Sequence, residues 1–240
     1  MSGIGRFDRL DALRGVAIVW MAVFHFCFDL NHFGFFEPKH RFTVDAFWTM
    51  QRTMIVTLFL FCAGLAQAVA IEQGQSWQRF WKRWAQIAGC AVLVSIGSYW
   101  MFPRSWIFFG VLHGIAALLI GIRLLAPLRR WLWLIGAAAI VLPLVWRHEV
   151  FNPPWLSWIG LVTKKPLTED YVPVLPWLGV MAWGMASGQW LLAHARGVLA
   201  GPIPRAASWL ALLGRWSLSF YMLHQPVFIG LLMAVVALRR

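Results

Sequence analysis

Residues 13–30 read LRGVAIVWMAVFHFCFDL, an apolar run whose ionisable side chains are Arg14, His25 and Asp29. As an α-helix rising 1.5 Å per residue, such a run covers about 27 Å, most of a hydrocarbon layer of about 30 Å. Residues 53–71 and 172–193 are runs of the same kind. Composition agrees: of 240 residues, 60% are hydrophobic and only 12% are charged, where soluble domains carry about a quarter charged residues. A chain of this length has no soluble core able to hide that much apolar surface. A secreted enzyme, a disordered tail and a nucleic-acid-binding domain are thereby excluded. The expected fold is all-α, a polytopic integral membrane helical bundle forming one domain over residues 1–240.

Seven spans are predicted, at about 12–31, 47–71, 84–102, 106–126, 131–147, 172–194 and 215–238. The stretch 203–213 is apolar but short, and either lies at the interface as an eighth element or lengthens the last helix. Pro103, Pro127, Pro153, Pro154, Pro166, Pro202 and Pro204 fall in the connections, where helices stop. The net charge of +12 comes from Lys and Arg lying mostly between apolar runs, where they orient helices rather than bind nucleic acid. Placing the N-terminus in the cytoplasm puts Arg6, Arg9, Arg79, Lys82, Arg83, Arg129, Arg130, Arg196 and Arg205 on that side. Lys39, Arg41, Arg104, Arg147, Lys164, Lys165, Arg239 and Arg240 then lie opposite, a modest bias in the expected direction.

Several of the 17 tryptophans, among them Trp77, Trp81, Trp84, Trp106, Trp131 and Trp133, sit near span ends as interfacial anchors. Cys27, Cys62 and Cys90 all lie in apolar runs. Their odd number and lack of a CxxC spacing argue against a disulfide framework or a metal site. The first span follows basic residues but contains Arg14, His25 and Asp29, so it reads as a retained helix rather than a cleaved signal. No repeat or Gly-rich nucleotide loop occurs, and the longest outer loops, 31–46 and 148–171, are short. Any chemistry belongs in the bundle or at its mouth.

Ionisable groups in a bilayer are costly and usually mark a cavity, a partner or a site. Asp11, Arg14, His25 and Asp29 form the densest such set. Arg14 and His25 are eleven residues apart, which is about three helical turns, so they share one face about 16 Å apart. Asp29 follows His25 by one turn, making a polar stripe from the inner surface past the midplane. A neutral imidazole beside a carboxylate is a general-base arrangement, with Asp29 orienting or tuning His25. His113 and His224 reach neighbouring depths and are candidate lining of the same chamber. Asp11 and Arg14 also read as an ion pair at the membrane edge, and His113 as hydrogen-bonding glue between helices. Arg52 in the second span suits structure or an anionic ligand equally. His32, His40, His148 and His194 lie in or near loops. Asp170 and Tyr171, at the outer mouth of the sixth span, are candidates for contacting an acceptor, or else a helix cap and an interface anchor. Gly184 and Gly188 read as a helix-packing pair.

Two functions suit the stripe. A proton-coupled transporter would use His25 and Asp29 as a relay, but usually brings repeats and broken helices. An acyltransferase needs a basic mouth for an anionic donor and a histidine farther in, which Arg14 and His25 supply. A silent binding or assembly subunit is the third reading, and a homo-oligomer is left open.

The segment Arg9-Leu-Asp11-Ala-Leu-Arg14-Gly15 followed by His25 resembles the first-span signature of membrane acyltransferases. Residues 24–31 (FHFCFDLN), 58–64 (LFLFCAG), 110–113 (GVLH), 170–179 (DYVPVLPWLG) and 213–226 (LGRWSLSFYMLHQP) extend the likeness along the chain. Together they resemble the bacterial DUF1624 group, related to the heparan-α-glucosaminide N-acetyltransferase catalytic domain. The resemblance implies transfer of an acetyl or other acyl group from acetyl-CoA or another acyl-CoA, without a metal, to a glycan or glycolipid across a bacterial inner membrane. Arg14, with Asp11, would then serve the donor, and His25 would sit at the transfer point. In lysosomal relatives an Asn stands where this chain has His25 and the catalytic His follows in the next loop, so His32 and His40 enter as alternatives.

Overall fold

The computed structural model describes residues 7–238; the orientation charges Arg6, Arg239 and Arg240 lie outside them. The described residues are helical throughout, apart from turns, loops and one isolated bridge between Phe109 and Tyr171. Among the described residues, five helices are long and apolar enough to cross a membrane. The chain divides into two compact units, Met1–Phe59 with Gly197–Arg240, and Leu60–Arg196.

In the first unit α1 (Asp8–His32) runs unbroken through the polar stripe, so the helical spacing from Arg14 to His25 holds. Asp8 and Asp11 lie in its first turn, where carboxylates favour the positive end of the helix dipole. The unit also holds the first part of α2 (Ala46–Glu72), the four-residue α8 (Gly197–Ala200), α9 (Ser208–Arg215) and α10 (Ser217–Leu238). The apolar stretch around 203–213 therefore does not lengthen the last span; α9 is a separate helix, broken from α10 at Trp216. It lies against α1 so closely that a Cβ on Gly15 would meet the Leu210 carbonyl, and one on Gly214 the Asp11 carbonyl. Only glycine permits that approach. Ile18, Met21, Phe24, Phe42 and Ile55 form the core cluster behind the stripe. Phe42 stacks on Trp48 at 3.9 Å, and the Trp20 indole N–H donates to Gln51 Oε1 at 2.8 Å.

The second unit holds the rest of α2 with α3 (Trp77–Met101), α4 (Val111–Leu125), α5 (Trp131–Val145), the four-residue α6 (Pro154–Ser157) and α7 (Val174–His194). Helix α3 starts seven residues earlier than hydropathy suggests, at a Ser76 cap whose Oγ accepts the Arg79 N–H. Arg79, Lys82 and Arg83 do not hinder backbone hydrogen bonding, so the helix outruns the apolar run. Helix α4 instead starts five residues late: residues 102–110 form a loop whose Ile107 N–H donates to Ser98 Oγ at 2.9 Å. Gly184 of α7 packs on α2, where a Cβ would meet the Phe61 carbonyl, in line with close helix packing at small residues.

Each predicted span corresponds to a helix, but α5 has 15 residues and α7 is not among the five long apolar ones. Gly179, Gly184, Ser187, Gly188 and Gln189 lower the hydropathy of α7. Among the long helices, α3 and α10 each bury only 11% of their apolar window, leaving Leu93, Ile96, Trp100, Leu223, Leu231 and Met233 exposed. Apolar exposure on that scale, on helices long enough to span, suits a lipid environment. The protein is an integral membrane protein.

Candidate active site

Helices α1 and α10 bring together the polar residues of the first unit. His25 Nδ1 lies 2.7 Å from His224 Nε2, with the rings nearly parallel, 13° apart in plane and 5.0 Å between centres. His224 Nδ1 lies 2.7 Å from the Tyr221 carbonyl oxygen and 3.3 Å from that of Phe220. A carbonyl only accepts, so His224 Nδ1 carries the hydrogen and, in the neutral ring, Nε2 carries a lone pair. That lone pair accepts from His25 Nδ1–H, which leaves the His25 lone pair on Nε2. The backbone of α10 thus fixes the tautomer of both rings and makes His25 Nε2 the basic atom.

The carboxylate of Asp29 does not hold His25. It is buried, 3% exposed, and its Oδ1 accepts from Gln225 Nε2 at 2.7 Å. The orienting partner of His25 is His224, drawn from the far end of the sequence.

At the N-terminal end of α1 a second cluster forms. Arg14 donates to Asp11 Oδ1 at 3.1 Å, while Arg215 Nε lies 3.6 Å from Asp11 Oδ2 and its NH2 2.9 Å from Asp8 Oδ1. Arg9 donates to the Gly197 and Pro202 carbonyls at 3.1 and 3.2 Å. The pair read from the sequence as a membrane-edge ion pair is made. Arg215 adds a second guanidinium, and both arginines remain about 30% exposed, at 29% and 31%. Two partly exposed guanidiniums sharing one carboxylate can take phosphate oxygens in its place. Along unbroken α1 this cluster lies about 16 Å from His25.

The remaining candidates are placed as follows. His32 is exposed one turn beyond Asp29. His40 is exposed too, its backbone held by Asn31 (N–H to Oδ1 2.7 Å, carbonyl to Nδ2 3.0 Å) and its ring edge-on to Trp48. Arg52 is half-buried on α2 beside Gln51. In the second unit both nitrogens of His113 are engaged: Nδ1 accepts the Gly110 N–H at 3.3 Å, and Nε2 lies 3.1 Å from Ser95 Oγ. Ser95 in turn donates to the Ile107 carbonyl at 2.6 Å, so His113 Nε2 holds its hydrogen and the ring ties α3 to the start of α4. Asp170 Oδ2 accepts the Val111 N–H at 2.7 Å, serving the first turn of α4. Tyr171 donates its hydroxyl to the Ser157 carbonyl at 2.6 Å, and burial pushes that hydroxyl's pKa up. The sequence reading passed over Arg215 and Gln225. Both lie in the quoted 213–226 stretch, and an amide beside a buried histidine inside a span was the available signal.

The model of the heparan-alpha-glucosaminide N-acetyltransferase catalytic family matches residues 6–226. The chain belongs to that family. The match takes in the N-terminal charge cluster, the His25–His224 pair and the Asp29–Gln225 pair. No curated protein and no solved structure matches the chain. Membership in this family supports membrane acyltransferase chemistry of the acetyltransferase type.

Proposed function

We propose that this protein moves an acetyl or other acyl group from cytoplasmic acyl-CoA to a glycan or similar acceptor on the opposite side of a bacterial inner membrane. The observation that carries this reading is the Tyr221 carbonyl–His224–His25 chain, which leaves a lone pair on His25 Nε2. In the reaction His25 Nε2 takes the proton of the acceptor hydroxyl or amine as its oxygen or nitrogen attacks the thioester carbonyl. The new C–O or C–N bond forms, the C–S bond breaks, and His25 returns the proton to the departing thiolate. Positive charge arising on His25 is relieved through Nδ1–H toward His224. Arg14 and Arg215 meet the donor's phosphates, with Asp11 holding both guanidiniums in place beforehand. Seven spans with a cytoplasmic N-terminus put these arginines on the donor side, with α9 as a further, shorter element. Transport is not favoured: family membership speaks for acyl transfer, and the histidine chain ends on a backbone carbonyl.

The test is to load proteoliposomes with labelled acetyl-CoA and present a membrane glycolipid extract outside. Label appearing in the extract supports the proposal. Absence of label together with absence of acetyl-CoA binding overturns it, and protein-dependent proton flux in the same vesicles would then assign transport.

A further inference from the structure

The first turns of α3 carry a charge that nothing in the helix balances. Residues 77–84 read WQRFWKRW, and α3 contains the cations Arg79, Lys82 and Arg83 with no Asp or Glu. Between Leu60 and Met101 the one acidic residue is Glu72, which is paired with Arg196. Arg79 donates to the Gly74 carbonyl at 3.0 Å and Arg83 to Gln86 Oε1 at 3.1 Å, both neutral acceptors. At i, i+3 and i+4 the three cations share the exposed side of α3, away from the buried Phe80, Ile87 and Ala91. Like charges at that spacing repel, and Arg79 sits in a first turn where the helix dipole favours a carboxylate. Trp77 and Trp81 stand exposed on the flank with ring centres 6.2 Å apart. Arg123 lies 5.1 Å over Trp77 while donating to the Gln75 carbonyl at 2.6 Å, which fixes this end of the helix. Tryptophans so placed mark headgroup depth. Beyond the cations one exposed stripe runs along α3 in alternating steps of four and three: Lys82, Gln86, Gly89, Leu93, Ile96 and Trp100. A Cβ on Gly89 would meet nothing within 4 Å, so the stripe has an open notch about 10 Å along the axis from Lys82.

We propose that this face of α3 binds an anionic phospholipid, with its phosphate on Arg79, Lys82 and Arg83 and an acyl chain lying over Gly89 toward Trp100. The inference is independent of acyl transfer. Guanidiniums offer paired donors to phosphate oxygens, and the lysine adds a point charge. A zwitterionic headgroup brings its own ammonium to the phosphate and gives up most of that attraction. Orienting the helix, the role read from the sequence, needs cations at this end of α3 but not on one face above a notch. A second copy of the chain would also fit the notch, since small residues favour helix packing. Both copies insert with one orientation, however, so a two-fold dimer through this face sets the three cations against their own counterparts. Charge therefore selects the lipid.

The test is native mass spectrometry of the whole detergent-solubilised chain mixed with phosphatidylglycerol or, separately, phosphatidylcholine, which reads how much protein carries one lipid. Wild type should bind its first phosphatidylglycerol at least about fivefold more tightly than phosphatidylcholine, the worth of one basic residue at an anionic headgroup. Replacing all three cations, Arg79→Gln with Lys82→Gln and Arg83→Gln, should bring that ratio to within about twofold of unity. Arg129→Gln with Arg130→Gln removes two cations from the connection into α5 and should leave the ratio at the wild-type value. Gly89→Leu keeps every charge but fills the notch, and should weaken phosphatidylglycerol binding at least about twofold. Size-exclusion elution checks that each variant is folded. Equal binding of the two lipids by wild type, or wild-type phosphatidylglycerol binding by Gly89→Leu, overturns the inference. Equal loss from the α3 and the Arg129–Arg130 variants also overturns it, reducing the effect to bulk charge. A dimer mass that Gly89→Leu converts to monomer overturns it too, and would assign the face to a second copy.

Discussion

Replacing His224 by leucine removes the nitrogen that accepts the His25 Nδ1 hydrogen at 2.7 Å while keeping an apolar side chain in the α1–α10 contact. Two losses follow. The His25 N–H is left inside the bundle without a partner, at a cost of about 1–3 kcal/mol in stability. The ring is also released to the other tautomer, in which Nε2 bears the hydrogen and no longer acts as a base. A positioned general base is worth about 10²–10⁴-fold, so kcat for acetyl transfer should fall by about 10²–10³-fold. The KM for acetyl-CoA should stay within about twofold, because the arginine cluster lies about 16 Å away along α1. His224→Gln offers an amide oxygen to the same hydrogen and should recover activity to within about tenfold of wild type. Transfer of labelled acetyl from acetyl-CoA measures each variant, with size-exclusion elution as the check on folding. Leucine and glutamine variants equally impaired, or a leucine variant within twofold of wild type, would refute the orienting role.

Three further outcomes follow from the packing and the charges. Gly214→Ala pushes a methyl group into the Asp11 carbonyl, and thermal unfolding in detergent should show a loss of about 1–3 kcal/mol from overpacking. Tyr171→Phe removes one of the two hydrogen bonds to the buried Ser157 carbonyl, which keeps the one from the Gly160 N–H, costing about 0.5–1.5 kcal/mol with transfer activity unchanged. Because the folded Tyr171 hydroxyl has a raised pKa, its contribution is fully present below the unfolded value of about 10 and is lost above it. The stability gap between wild type and Tyr171→Phe should accordingly be flat from pH 6 to 9 and shrink beyond about 10. Arg215→Gln should weaken acetyl-CoA binding and flatten its dependence on salt, as Arg14→Gln should, since each removes a cation from the same cluster.

Hydropathy made the helices readable, because burial in lipid demands apolar length. It misplaced boundaries wherever hydrogen bonding decides them. Basic residues early in α3 hid a helix that begins at Ser76, while the start of α4 depends on a carboxylate 59 residues away, at Asp170. His25 and Asp29 stood out because ionisable side chains are rare in a span. Their partners did not, since His224 and Gln225 lie 199 and 196 residues along the chain and no periodicity links α1 to α10. The α9 crossing was hidden for the same reason: Gly15 and Gly214 become meaningful only once their backbones touch. His113 carried the same signal as His25, yet its neighbours use both nitrogens, a difference set by Gly110 and Ser95 rather than by depth.

The central claim is that His25 Nε2 is the base of an acyl transfer. Single-turnover transfer of labelled acetyl from acetyl-CoA to a membrane glycolipid extract, compared between wild type and His25→Ala, tests it most directly. Label should pass to the extract with wild type and fall by about 10²–10⁴-fold with His25→Ala, with acetyl-CoA binding unchanged. Equal transfer by both proteins would contradict the claim.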